Sequence, residues 1–225
     1  MLKRIIPYGE RAILIEFEQK VDAEINQLVH HWNIVIQQLA LPGFSYTIPA
    51  YASLTIVFQN KVQKIEQLIT RLSTIAEQKT SNSLQVSSLI EVPVCYDPKF
   101  ALDQELIMEA SGLSWQEVVA LHTKTEYLVY MLGFTPGFSF MGKLPPPLQM
   151  KRRQTPRLKV PAGSVGLANA QTGIYPEEIP GGWQIIGRTP WKPFDPNKEN
   201  PFLFQAGDRI RFYAIDEASF KSMSQ

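Results

Sequence analysis

The chain has few of the residues that most often carry chemistry. Among its 225 residues Cys95 is the sole cysteine. That excludes an intrachain disulfide and any multi-cysteine zinc site, and it fits a reducing compartment. Charge of one sign is also missing: 22 Lys and Arg stand against 21 Asp and Glu, a net charge of +1. There is thus no general electrostatic drive toward nucleic acid or an anionic membrane, and small molecules or proteins are the expected partners. No run approaches the roughly 18 apolar residues of a membrane span. The opening MLKRIIPYGERAILIEF lacks the apolar core and small-residue cleavage site of a secretory leader, so the chain reads as soluble and cytoplasmic. Also absent are a G-x-x-x-x-G-K-[ST] phosphate loop, a G-x-G-x-x-G turn, a G-x-S-x-G elbow and an H-E-x-x-H zinc motif. A self-sufficient enzyme of those kinds is not expected, nor is a metal site.

What the chain does have is concentrated in residues 127–190, which hold 9 of the 13 glycines and 9 of the 17 prolines, interleaved with aromatics, hydroxyls and basic residues. Glycine opens backbone conformations and proline closes them, so together they hold loops in one shape. Recurring Val, Ile, Leu, Phe and Trp give those loops something to bury, which a disordered linker lacks.

The length suits two small domains, 1–88 and 89–225, with the boundary near residues 82–88. In the first, residues 11–17 read as a strand. Ile25, Leu28, Val29, Trp32 and Ile36 recur at helical steps behind an N-cap at Asp22. Residues 44–48 and 53–58 read as a hairpin, Val62 to Ala76 as a second helix closed by the polar stretch 78–83, and 89–96 as a further strand. The order βαββαβ predicts an α+β, ferredoxin-like sandwich. His30 and His31 are adjacent on the first helix, too far apart in direction to share a metal, and read as solvated. In the second domain two short helices come first, one near 102–110 and one opened by Ser114 with Glu117 in capping-box spacing. Short β-prone runs at 127–132, 164–168, 183–188 and 209–214 then alternate with Gly/Pro loops and predict an antiparallel barrel or sandwich.

Candidate chemistry lies in those loops. Lys151, Arg152, Arg153, Arg157 and Lys159 form a basic cluster that suits phosphate or carboxylate, arginine making paired charged hydrogen bonds, or else form a solvated loop. Arg188 and Thr189 emerge from the strand WQIIGR to meet an anion or a loop carbonyl. Gln171, Thr172 and Tyr175 combine amide, hydroxyl and phenol in one turn, as the wall of a site for a polar planar ligand does, with Trp183 beside it or in the core. His122 is the one histidine outside the first helix, a candidate base or a structural residue. Asp195, Asp208 and Glu178 have no partner that sequence identifies.

The runs MLGFTPGFSFMG at 131–142, TPRLKVPAGSVGLANAQTGIYP at 155–176 and PGGWQIIGRTP at 180–190 closely resemble the KipI family, also labelled the B subunit of 5-oxoprolinase (PxpB) or allophanate hydrolase subunit 1. GERAILIEF, IPAYASLTIVF, FDP at 194–196 and AGDRIRF at 206–212 extend the resemblance over nearly the whole chain. It implies an N-terminal α/β domain and a cyclophilin-like β-barrel of the carboxyltransferase C/D type, related to the carboxyltransferase region of urea carboxylase. It implies two partner proteins, one of the KipA type (the C subunit of 5-oxoprolinase) and one of the LamB/YcsF type (the A subunit). ATP, shared with those partners, would phosphorylate the lactam carbonyl of 5-oxoproline, and water would open the ring to glutamate. This subunit, inactive alone, would supply Arg152, Arg153, Arg157, Arg188, Gln171 and Thr172. The alternative the resemblance carries is a KipI-type inhibitor of a sensor histidine kinase, which should present an exposed apolar patch around Phe134, Pro136, Phe138 and Phe140. Allophanate hydrolysis is set aside, because the Gly/Ser-rich amidase signature is missing. Three positions depart from the family pattern: Asn169 for glycine, Ile179 for a small hydroxyl residue, and Ala52 for an arginine assigned to a partner surface.

Overall fold

A computed structural model of the protein describes residues 2–77 and 89–224. The chain divides into two compact units, 1–86 and 87–225. The boundary expected near 82–88 and the polar stretch 78–83 lie outside the described residues.

The first unit contains β1 (Leu2–Pro7), β2 (Ala12–Phe17), α1 (Ala23–Gln38), β3 (Phe44–Pro49), β4 (Ser53–Phe58) and α2 (Ile65–Glu77). Strict alternation in AILIEF and SLTIVF puts Ile13, Ile15, Leu54 and Ile56 on one buried face, where Val29 and Ile36 of α1 meet them. Asp22 caps α1 as its position predicts, its Oδ1 accepting the amides of Glu24 at 2.9 Å and Ile25 at 3.2 Å. The four strands are antiparallel in the order β1-β2-β4-β3. The expected βαββαβ connectivity of a ferredoxin-like sandwich is therefore not observed. The strand at 89–96 pairs in the second unit, and the edge beside β2 is filled from the front of the chain by β1. LKRIIP, with Lys3 and Arg4 exposed, shows too little alternation to announce that strand. Ala52 is buried, and its carbonyl accepts the amide of Phe17.

The second unit runs through β5 (Leu89–Cys95), α3 (Gln104–Ser111), α4 (Trp115–Lys124), β6 (Glu126–Leu132), β7 (Ser139–Gly142), β8 (Arg157–Val160), β9 (Ser164–Ala168), β10 (Gln171–Ile174), β11 (Ile179–Gly181), β12 (Gln184–Arg188), β13 (Arg209–Ile215) and α5 (Glu217–Met223). Seven of the strands close a barrel in the order β10-β7-β6-β13-β5-β12-β9, with β9 pairing β10, and β8 and β11 form a separate ribbon. Val92, Val129, Met141, Val165, Leu167 and Phe212 belong to its core. The barrel is not wholly antiparallel as expected: β5 and β13 run parallel from Leu89↔Arg209 to Ile215↔Cys95. Alternation marks a strand but carries no direction, so the parallel joint could not be read from it. The capping box at α4 forms, Ser114 Oγ accepting the Glu117 amide while Glu117 accepts the Ser114 amide. Among the described residues no helix is long and apolar enough to cross a membrane.

Candidate functional site

Period-two alternation continues through FSFM: Met141 joins the barrel core, whereas Phe138 and Phe140 join a second cluster with Tyr175 and Trp183. The rings meet edge to face, Phe138 lying 5.1 Å from Tyr175 at 90° and 5.3 Å from Trp183 at 84°, the arrangement the ring quadrupoles favour. Two glycines make room for them. A Cβ on Gly181 would fall 2.4 Å from Tyr175 Oη, and one on Gly173 would fall 2.7 Å from the Ser139 carbonyl oxygen and 3.1 Å from the Trp183 ring. Phe134 stands over this floor, 73% exposed, with a left-handed φ of 70° that a bulky side chain rarely adopts. The five rings enclose a cleft of about 100 Å³, with Arg152 at its edge. The Arg152 guanidinium lies 5.9 Å from the Trp183 ring centroid, a cation–π contact. Among the described residues it has no hydrogen-bond or ion-pair partner.

The rest of the basic cluster is engaged elsewhere. Asp103, buried just before α3, accepts Arg153 Nη1 at 2.7 Å and Arg157 Nη2 at 2.7 Å on Oδ1, and Arg157 Nη1 at 2.9 Å and the Ile185 amide at 2.6 Å on Oδ2. The paired Arg157 contact is the fork geometry that guanidinium and carboxylate share. Arg153 also donates its backbone amide to Gly182 O at 2.7 Å. Arg153 and Arg157 thus pin the loop around Arg152 to the barrel instead of facing a ligand. Lys159 pairs with Glu178 at 3.1 Å on the surface, and Lys151 is exposed.

His122 is fully buried in α4, its Nδ1 2.8 Å from the Tyr96 hydroxyl and its Nε2 3.3 Å from Thr172 Oγ1. A neutral imidazole satisfies both by accepting at one nitrogen and donating at the other. Its ring stacks on Phe212 at 4.7 Å, and desolvation pulls its pKa down from 6.5 to about 3. His122 and Thr172 therefore sit together in the barrel core, away from solvent. Burial also pushes the Tyr96 and Tyr175 phenols up. Tyr175 walls the cleft, while half-buried Gln171 is not among its lining residues.

Arg188 donates Nε to Ala162 O at 2.6 Å, its guanidinium 5.9 Å from Phe220 and its pKa lowered by desolvation. Thr189 is buried and accepts the Trp191 amide at 3.2 Å. Neither lines the cleft. Sequence reasoning misses Asp103, which has no local signal because all its partners are distant in the chain. It groups Phe134, Pro136, Phe138 and Phe140 as one apolar patch, exposed only in the kinase-inhibitor alternative, whereas the two-residue spacing of Phe138 and Phe140 puts those two rings on one wall. Asn169 adopts φ 51°, a left-handed backbone that glycine and asparagine tolerate better than other residues. Ile179 is half-buried opposite Val160 in the ribbon. Among the described residues no group of three or more His, Cys, Asp or Glu side chains could hold a metal ion.

Residues 3–204 match the family of the carboxyltransferase domain, subdomain C and D. The chain is 38% identical over 231 residues to the B subunit of 5-oxoprolinase from Bacillus subtilis (strain 168), covering 96% of this chain and 95% of that protein. It is 38% identical over 205 residues to the B subunit of 5-oxoprolinase from Escherichia coli O157:H7, covering 91% and 92%. Among solved structures, TTHA0988 superposes with a TM-score of 0.78 at 35% identity; 92% of this chain is covered, but the chain spans only 40% of that larger one.

Proposed function

Because the chain belongs to the family of 5-oxoprolinase B subunits, which are carboxyltransferase-domain proteins, we propose that it works as one subunit of an ATP-dependent enzyme that opens 5-oxoproline to glutamate. The observation that carries this is the 38% identity to the Bacillus subtilis protein along 96% of the chain. The partners would be a KipA-type protein as the C subunit, and a LamB/YcsF-type protein as the A subunit, in the cytoplasm, with the barrel of the cyclophilin-like kind.

The residues of this chain support a binding role. The one histidine beside the cleft-bearing strands is sealed in the core. ATP belongs to the complex, but these residues do not fit a triphosphate. Arg153 and Arg157 are neutralised by Asp103, and Arg152 alone is left as an unengaged cation at the cleft. Nucleotide binding and phosphoryl transfer are accordingly assigned to the partner subunits. The kinase-inhibitor reading is not favoured. The patch it needs is broken up, because Phe138 is buried and Phe140 half-buried, leaving Phe134 and Pro136 exposed.

The test is co-expression with the two candidate partners and an assay of ATP-dependent glutamate release from 5-oxoproline. Turnover that requires all three chains is the expected result. A stable three-chain assembly without turnover, together with loss of sensor-kinase autophosphorylation on adding this chain, overturns it.

A further inference from the structure

We propose that the aromatic cleft is where this protein holds 5-oxoproline itself, the flat lactam ring against Phe134 and Phe140 and the carboxylate on the Arg152 guanidinium. The proposal rests on the 5-oxoprolinase reading and adds to it a substrate site and a residue that sets specificity.

Size, charge and rigidity all point the same way. A cleft of about 100 Å³ suits one small ring, not a nucleotide. Its floor is made of the nearly buried rings of Phe138, Tyr175 and Trp183, and the apolar surface it offers a five-membered lactam is that of exposed Phe134 and half-buried Phe140. At the edge there is one unengaged cation, matching one carboxylate. A polyphosphate would need several cations or a nest of backbone amides. Arginine over an aromatic face presents two parallel N–H donors, the geometry a carboxylate takes up in pairs.

The loop is also prepared in advance. Its neighbour Arg153 is tied through the backbone to Gly182 and through the side chain to Asp103. Little chain entropy then remains to be lost when Arg152 takes up its ligand. The ring nitrogen and carbonyl would be left to groups that the partner proteins bring.

The experiment uses the assembled complex, with equilibrium dialysis of 5-oxoproline, of 2-pyrrolidinone (the same ring without the carboxylate) and of ATP, and with steady-state kinetics alongside. Arg152→Gln should weaken 5-oxoproline binding and raise its KM roughly ten- to hundredfold, the usual loss for a charge-assisted hydrogen bond. Arg152→Lys, which keeps charge without the fork, should fall between, while kcat changes less than KM. Binding of 2-pyrrolidinone should be weak in wild type and indifferent to the substitution. The side chain is exposed, so folding should survive in both variants. Unchanged 5-oxoproline binding in Arg152→Gln overturns the proposal while leaving the 5-oxoprolinase reading standing. So does weakened ATP binding with 5-oxoproline unaffected, which would give the anion site to phosphate. A wild-type complex that binds 5-oxoproline through Arg152 but never releases glutamate would instead overturn the activity reading and keep the pocket.

Discussion

Asp103→Ala is the substitution from which the second unit should suffer most for a single atom group lost. The carboxylate is 3% exposed and accepts four hydrogen bonds, three from guanidinium groups and one from the Ile185 amide. Removing one partner of a buried ion pair costs about 3–5 kcal/mol, because the remaining charge is stranded. Here Arg153 and Arg157 are 32% and 20% exposed and can turn partly toward water, so the lower end, about 3 kcal/mol, is expected. Asp103→Asn keeps one accepting oxygen and should cost about half as much. Urea unfolding followed by tryptophan fluorescence measures the change. The cost should shrink when Arg157→Gln is added to Asp103→Ala, since the second change removes the stranded cation. A loss below about 1 kcal/mol for Asp103→Ala, or strict additivity with Arg157→Gln, would refute the view that this carboxylate holds the loop together.

Two further outcomes follow from the same geometry. His122 has its pKa depressed to about 3 in the folded state, so between about pH 6.5 and 3 the unfolded chain binds the additional proton and stability must fall as pH falls, by up to about 1.4 kcal/mol per unit; His122→Gln should flatten that slope in urea midpoints taken across the window, and an unchanged slope would show the group is not what sets it. Gly181→Ala would place a methyl 2.4 Å from Tyr175 Oη, so it should displace the Tyr175 ring, cost about 1–3 kcal/mol in thermal unfolding, and weaken any ligand that the aromatic cleft holds.

The elements that announce themselves locally are legible in the sequence. Ser114 with Glu117, Asp22 before its helix, and the alternations AILIEF and SLTIVF each specify structure within a few residues. What escapes depends on partners far along the chain. Nothing in LIEVPVC tells that it leaves the first sheet and lies parallel to RIRFYAI. Nothing in RRQTPR tells that Asp103, about 50 residues earlier, neutralises Arg153 and Arg157 and leaves Arg152 unengaged. His122 is hard to judge for the same reason: a lone histidine is chemically ambiguous until its neighbours are known, and here Tyr96, Thr172 and Phe212 come from three separate stretches of chain. The aromatic wall is present in the spacing of Phe138 and Phe140, but Tyr175 and Trp183 have to be brought to it from later stretches of the chain to complete it.

The parallel seam between β5 and β13 has a bearing on how the chain is made. The strand that opens the second unit cannot complete its pairing until the one at 209–215 has been synthesised, and the seam joins Leu89 to Arg209 across almost the whole of that unit. Long-range pairing of this kind is slow because a large loop must be closed before any contact rewards it. On the ribosome, then, β5 and β6 would each wait with one edge unsatisfied, a state open to wrong pairing. Chains cut short before residue 209 should emerge as open sheets that aggregate, and chaperones would be expected to engage the nascent protein in that interval.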